Sequence, residues 1–240
     1  MKPTAKQAAQ ALRKHADPVK AKVLQGFFKT GPGEYGEGDV FIGVVVPNTR
    51  RVAKEFRDLP LPEIKTLLGS KVHEDRLLAL VILVLQFEKS DAKGRQQIYD
   101  FYLKNTARIN NWDLVDVTCA QIVGAHLFDK SRATLHRLAK SKQLWERRIA
   151  IVSTFHFIRR DDFSDCLRLC EALLEDEHDL MHKACGWMLR EVGKRDSVEL
   201  LGFIDRHGPR MPRTMLRYAI ERLPVSRRKE ILQRPRAPKI

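Results

Sequence analysis

Three stretches of this 240-residue chain hold side chains that a plain hydrophobic core would not need. The first is Trp112-Asp113-Leu114-Val115-Asp116. On a helix capped by Asn110 or Asn111, Trp112 and Asp116 are four apart and share a face, with Cys119, Ala120 and Val123 following on nearly the same face. Asp116 is then a carboxylate in a largely apolar and aromatic setting, where burial without a partner would be costly. Such an anion can stabilise a positive charge that develops beside it. It can equally just favour the positive end of the helix dipole or pair with an arginine.

The second stretch is Trp145-Glu146-Arg147-Arg148-Ile149-Ala150, where Arg148 falls between Trp145, Val152 and Phe155 on the helical wheel. An arginine there needs an anion, either a protein carboxylate or a phosphate. The third is the helix expected over residues 179–193. Its core stripe is Met181, Ala184, Cys185, Met188 and Val192, and Lys183, Trp187, Arg190 and Lys194 gather on the opposite side. Those cations would neutralise phosphates while the indole supplies a flat apolar surface. The alternative is a solvated basic face with one partly exposed tryptophan.

The elements that must position these groups are helical. Apolar residues recur at helical spacing along nearly the whole chain, and the periodicity predicts unbroken helices over 111–126, 144–159 and 179–193. The one strand candidate, 40–46, is short and interrupted by glycine. It lies at the end of a glycine-rich stretch, 30–47, expected to be an ordered loop, and the basic tail 234–240 is expected to fray. Ala79, Val117, Ala150, Gly186 and Ala219 occupy similar places in successive long helices, at steps of 38, 33, 36 and 33 residues. Each step holds two helices and two turns, the period of HEAT-like pairs stacked into a curved all-α solenoid with a concave inner face. An ordinary helical bundle with chance spacing is the alternative. In a solenoid, neighbouring inner helices would bring Trp112, Asp116, Arg148 and Trp187 side by side from three consecutive repeats. The whole chain, 1–240, reads as one such domain.

The bulk numbers agree with a nucleic-acid partner. The formal net charge is +14, an excess that points to a polyanion. No stretch approaches the roughly 18 apolar residues that span a bilayer, and the basic start of the chain has no apolar run, so neither a membrane span nor a secretory signal is expected. Cys119, Cys166, Cys170 and Cys185 lack C-x-x-C spacing and read as reduced core thiols of a cytoplasmic protein, with no disulfide framework and no zinc. Gly31-Pro32-Gly33-Glu34-Tyr35-Gly36 satisfies G-x-G-x-x-G, but no strand precedes it, so turns are expected there and not a nucleotide. His178 and His182 lack a third ligand, and neither metal nor cofactor is expected.

The three stretches together, with Lys183-Ala184-Cys185-Gly186-Trp187-Met188-Leu189-Arg190-Glu191 as the fullest form of the third and the loop from Gly33 to Arg50, resemble the DNA alkylation repair proteins of the AlkD type, HEAT-like-repeat DNA glycosylases, over nearly the whole chain. The resemblance implies a concave face that holds duplex DNA and substrates that are N3- or N7-alkylated purines. It implies that Asp116 is the catalytic carboxylate, that Trp112 and Trp187 contact the lesion's deoxyribose, and that Arg148 helps hold the DNA backbone. It further implies that the base is released without being flipped into a pocket. Phe27 and Phe28 lie where some relatives carry a tyrosine close to the DNA, which makes Phe27 a candidate contact without a hydroxyl. Lys183, Arg190 and Lys194 enter as DNA contacts through the basic face of their helix. A monomeric glycosylase needing no cofactor is the expectation. A non-catalytic HEAT-like protein binding distorted nucleic acid, or a protein-binding scaffold, are the rivals.

Overall fold

The computed structural model describes residues 3–235. Among these, all regular structure is helical apart from one parallel bridge between Val40 and Val72. The fold is an all-α helical repeat, and the chain divides into two compact units, Met1–Thr118 and Cys119–Ile240. No described helix is long and apolar enough to cross a membrane.

The first unit holds α1 (Ala5–Arg13), α2 (Pro18–Phe27), α3 (Val46–Glu55), α4 (Leu61–Leu68), α5 (His73–Lys89), α6 (Ala92–Lys104) and α7 (Trp112–Asp116). Side-chain oxygens start several of them: Thr4 and Gln7 form a reciprocal capping box on α1, and Asp17 caps α2 from the position before Pro18. α3 and α4 pack on α5, whose Leu77, Leu78, Ala79, Leu80, Ile82 and Leu83 are buried. The expected strand over 40–46 does not form, for a visible reason. The N–H groups of Ile42, Gly43 and Val44 all donate to the buried carboxylate of Glu74, at 2.8–3.2 Å, and so cannot enter a β-ladder. Only Val40 pairs, and helix α3 begins at Val46.

Two helices expected to run unbroken are interrupted, and in both a threonine sits at the break. After Asp116 the chain leaves the α-helix. Thr118 donates its hydroxyl to the Leu114 carbonyl at 2.5 Å, and Tyr102 meets that hydroxyl at 3.0 Å. In the second unit the chain winds through a π turn, Ala120–Gly124, into α8 (Ala125–Leu127). α9 (Ala133–Ala139) follows. The segment expected over 144–159 is divided by Thr154, whose hydroxyl bonds the Ile151 carbonyl, into α10 (Leu144–Ser153) and α11 (Phe155–Ile158). Then come α12 (Ser164–Ala172), α13 (Asp179–Arg195), α14 (Ser197–His207), α15 (Arg213–Ala219) and α16 (Val225–Gln233). α13 is the centre of this unit, with α10, α12, α14 and α15 packed around it. All four cysteines are free and buried. The last residues of the expected tail, 236–240, lie outside the described residues.

Four of the five positions in the sequence repeat, Ala79, Ala150, Gly186 and Ala219, are buried, whereas Val117 is half-buried in the turn after α7. Gly186 shows why the position is kept small. A Cβ there would stand 2.5 Å from both the Met215 carbonyl oxygen and the Tyr218 Cβ of α15. Alanine is the better helix former by about 1 kcal/mol, but the obstacle is a neighbouring backbone that must move, at about 1–3 kcal/mol. Gly186→Ala is therefore expected to lower the urea midpoint of unfolding, and Gly186→Val to lower it further.

Candidate active site

A helix of five residues has almost no stability of its own, so α7 must be held by its surroundings. Asn111 caps it, accepting from the Trp112 N–H at 2.8 Å, and turns its amide toward Asp39 at 3.3 Å. Asp113 reaches across to His73, whose Nε2 lies 2.8 Å from its Oδ2. The other ring nitrogen of His73 meets Asp39 at 3.0 Å, and Arg76 closes the set on Asp39 at 2.6 Å. All five side chains are buried. Burial by itself would push the His73 pKa down. The bonds to Asp113 and Asp39 outweigh it and hold the imidazole above its ordinary value. A neutral imidazole could donate to only one of the two carboxylates; the imidazolium donates to both. Burial would raise the Asp39 carboxyl, but His73 and Arg76 bring it below its ordinary value.

The same network carries an aromatic stack. Phe41 lies on the His73 ring at 4.4 Å, and Phe28 packs between Phe41, at 4.9 Å, and Trp112, at 5.0 Å and nearly parallel. Phe27 meets the edges of both Phe28 and Trp112. Phe28 is buried, whereas Phe27 is 62% exposed. Gly36 locks the loop against this stack: its N–H donates to the Lys29 carbonyl, and a Cβ would come within 2.4 Å of the Phe28 carbonyl oxygen. Trp112 and Asp116 are both half-buried. The first unit thus brings together Phe27, Trp112 and the helix that ends on Asp116. The buried Asp39, His73, Arg76 and Asp113 that fix this arrangement were not foreseen. They are 34 or more residues apart where they pair across the unit, so no local spacing marks them.

In the second unit, Arg148 and Trp187 stand on α10 and α13. Arg148 is 5% exposed and donates to the Leu180 carbonyl of α13 at 2.6 Å. Its neighbour Arg147 is anchored by Asp176 at 2.6 Å. Trp187 is half-buried, its Nε1 donating to Glu191 at 3.2 Å and its ring 5.7 Å from Phe155. The cations expected beside it are present but matched by carboxylates: Lys183 with Asp179 at 2.7 Å, Lys194 with Glu191 at 2.7 Å, and Arg190 with Glu221. That face is therefore closer to charge balance than the cation spacing alone suggested. His178 and His182 serve the start of α13, with His178 Nδ1 accepting from the Leu180 N–H and His182 meeting the Asp176 carbonyl.

Against known proteins, the family model described as DNA alkylation repair enzyme matches residues 8–223. Among solved structures, the chain is similar to one titled "Predicted DNA alkylation repair enzyme from Enterococcus faecalis". The TM-score is 0.68 at 16% identity, over 88% of this chain and 98% of that one, a likeness of fold. No curated protein matches by sequence.

Proposed function

We propose, from the premise that this chain belongs to the DNA alkylation repair enzyme family, that it is a DNA glycosylase that hydrolyses the N-glycosidic bond of cationic N3- or N7-alkylated purines in duplex DNA. Alkylation at either nitrogen makes the base positively charged and a good leaving group. As the bond lengthens, the electron pair leaves with the base and the positive charge passes to the sugar, which comes to resemble an oxocarbenium ion. A fixed carboxylate beside that sugar stabilises the developing charge and orients the attacking water. Because the leaving base needs no proton, one carboxylate suffices where sugar hydrolases use two.

In this reading Asp116 is that carboxylate, and Trp112 offers its ring face to the sugar, where a cation is attracted by the π system. Trp187, on α13 of the second unit, is by the same resemblance a contact to deoxyribose. Arg148, which this reading keeps as a group that helps hold the DNA backbone, is almost wholly buried and also bonds the first turn of α13. Phe27 is an exposed apolar contact to the duplex. Lys183, Arg190 and Lys194 meet phosphates by exchanging their present carboxylate partners.

The observation that carries the reading is the placement of Asp116 one turn beyond a stacked indole, on a helix too short to stand alone and pinned by a buried ion network. Duplex DNA bearing N7-methylguanine tests it. The expected result is free N7-methylguanine in the supernatant, released far faster than by spontaneous depurination, with no release of guanine from the unmodified duplex. Binding of the lesion without release would leave a non-catalytic recognition protein in its place.

A further inference from the structure

Lys183, Arg190 and Lys194 can meet a phosphate only by giving up the carboxylates that now match them. Two guanidiniums with no such partner to give up stand at the end of α11, next to the ring that neighbours Trp187. Arg159 and Arg160 are both exposed, and among the described residues neither has a carboxylate within ion-pair distance. Neither is loose. The Arg159 guanidinium lies over the Phe155 ring at 4.2 Å, and that ring is the one 5.7 Å from Trp187. Arg160 lies over Phe128 at 5.1 Å and donates to the His156 carbonyl at 3.0 Å. A guanidinium laid on an aromatic face loses less freedom when it takes an anion, and its edge still presents the donor fork that matches phosphate.

His156, whose carbonyl accepts from Arg160, also feels both guanidiniums. Its pKa is lowered to about 4, first by burial and then by Arg160 and Arg159. The groups opposing them are the Ala120 backbone, from the π turn, and the Asp129 carboxylate after α8, and they do not restore it. By contrast, Arg132, on the same aromatic cluster and 4.0 Å from the Phe157 ring, is matched by Asp162 and Asp165.

We infer that Arg159 and Arg160 form a phosphodiester-binding pair that grips the DNA backbone beside Trp187. The inference rests on the DNA-binding part of the function proposed above and is independent of catalysis. Two guanidiniums each taking one phosphate would release the counterions of two phosphates.

The test measures affinity of the full chain for an undamaged fluorescent duplex between 50 and 200 mM salt. Arg159→Ala and Arg160→Ala are each expected to flatten the plot of log K against log salt by about 0.9, and the double variant by about twice that. Arg159→Lys, which keeps the charge, should retain the parent slope. In parallel, the His156 ring is titrated by NMR with and without saturating duplex. A phosphate drawn to the pair should raise its midpoint above that of the DNA-free protein. Unchanged slopes in the alanine variants, or a His156 midpoint that does not move with DNA, would overturn the inference. The two readings separate cleanly. Flattened slopes in a protein that releases no N7-methylguanine would sink the glycosylase reading alone, and normal release with parent slopes would sink the phosphate pair alone.

Discussion

Asp116→Asn is expected to slow release of N7-methylguanine by about 10²–10³-fold, the size of effect seen when one preorganised charge-stabilising group is removed, and to leave affinity for the lesion duplex within about twofold. The substitution keeps the shape of the side chain and removes its negative charge. In the ground state the positive charge lies on the alkylated base. In the transition state it has moved onto the sugar, where a carboxylate stabilises it and an amide dipole does so far less well. The loss therefore falls on the chemical step, so single-turnover kinetics should show a lower rate constant at an unchanged half-saturating protein concentration. Asp116 is half-buried on the last residue of α7, and asparagine there leaves the Asn111, Asp113 and Thr118 bonds intact. A cooperative thermal melt should show that the variant remains folded. A variant that releases base at the parent rate would remove Asp116 from the chemistry; one that releases none because it no longer binds DNA would make Asp116 a binding group.

Which helices carry Trp112, Asp116 and Trp187 could be read from spacing, because that information was local. Trp112 and Asp116 are four apart, the cap at Asn111 precedes them directly, and Trp187 with its flanking cations shares one helix. What spacing did not disclose is of two kinds. Glu191, four residues after Trp187 and three before Lys194, and Asp179, four before Lys183, were within helical reach and neutralise that face. Reading only the cations overstated its positive charge. The buried set of Asp39, His73, Arg76 and Asp113 is different in nature. Its members come from a loop, from α5 and from α7, and nothing in the immediate sequence of His73 tells a core histidine from a surface one. The threonine breaks are intermediate. Thr118 and Thr154 each sit inside an apolar run that supports a helix, and only the competition of a side-chain hydroxyl for a backbone carbonyl ends it.

That buried set leads to the largest expected loss of stability. His73→Ala leaves the Asp113 carboxylate without its cation in a buried site and takes from Asp39 one of its three partners. Removing one member of a buried pair costs about 3–5 kcal/mol, a large share of the stability of a domain this size. His73→Leu combined with Asp113→Leu removes both charges together and should cost less than the single change, since apolar replacement of a whole buried pair is often close to neutral. Urea midpoints at unchanged slope measure both.

The pH dependence is a second, independent signature. His73 has a folded pKa above its ordinary 6.5, so its contribution is complete below that value and is lost as the pH rises through the folded pKa. Asp39 has a folded pKa below its ordinary 3.8, so its contribution is complete above that value and is lost as the pH falls through the folded pKa. The parent should hold this stabilisation in full between about pH 4 and 6.5 and weaken on the alkaline side, whereas His73→Ala should show no such alkaline loss. Since α7 is too short to persist without Asp113 and Asn111 to fix it, the variant should also release N7-methylguanine more slowly although Asp116 is untouched. A His73→Ala protein with parent stability and the parent's alkaline decline would show that α7 is held by the Phe28–Trp112 stack alone, and that the ions beneath it contribute nothing to its position.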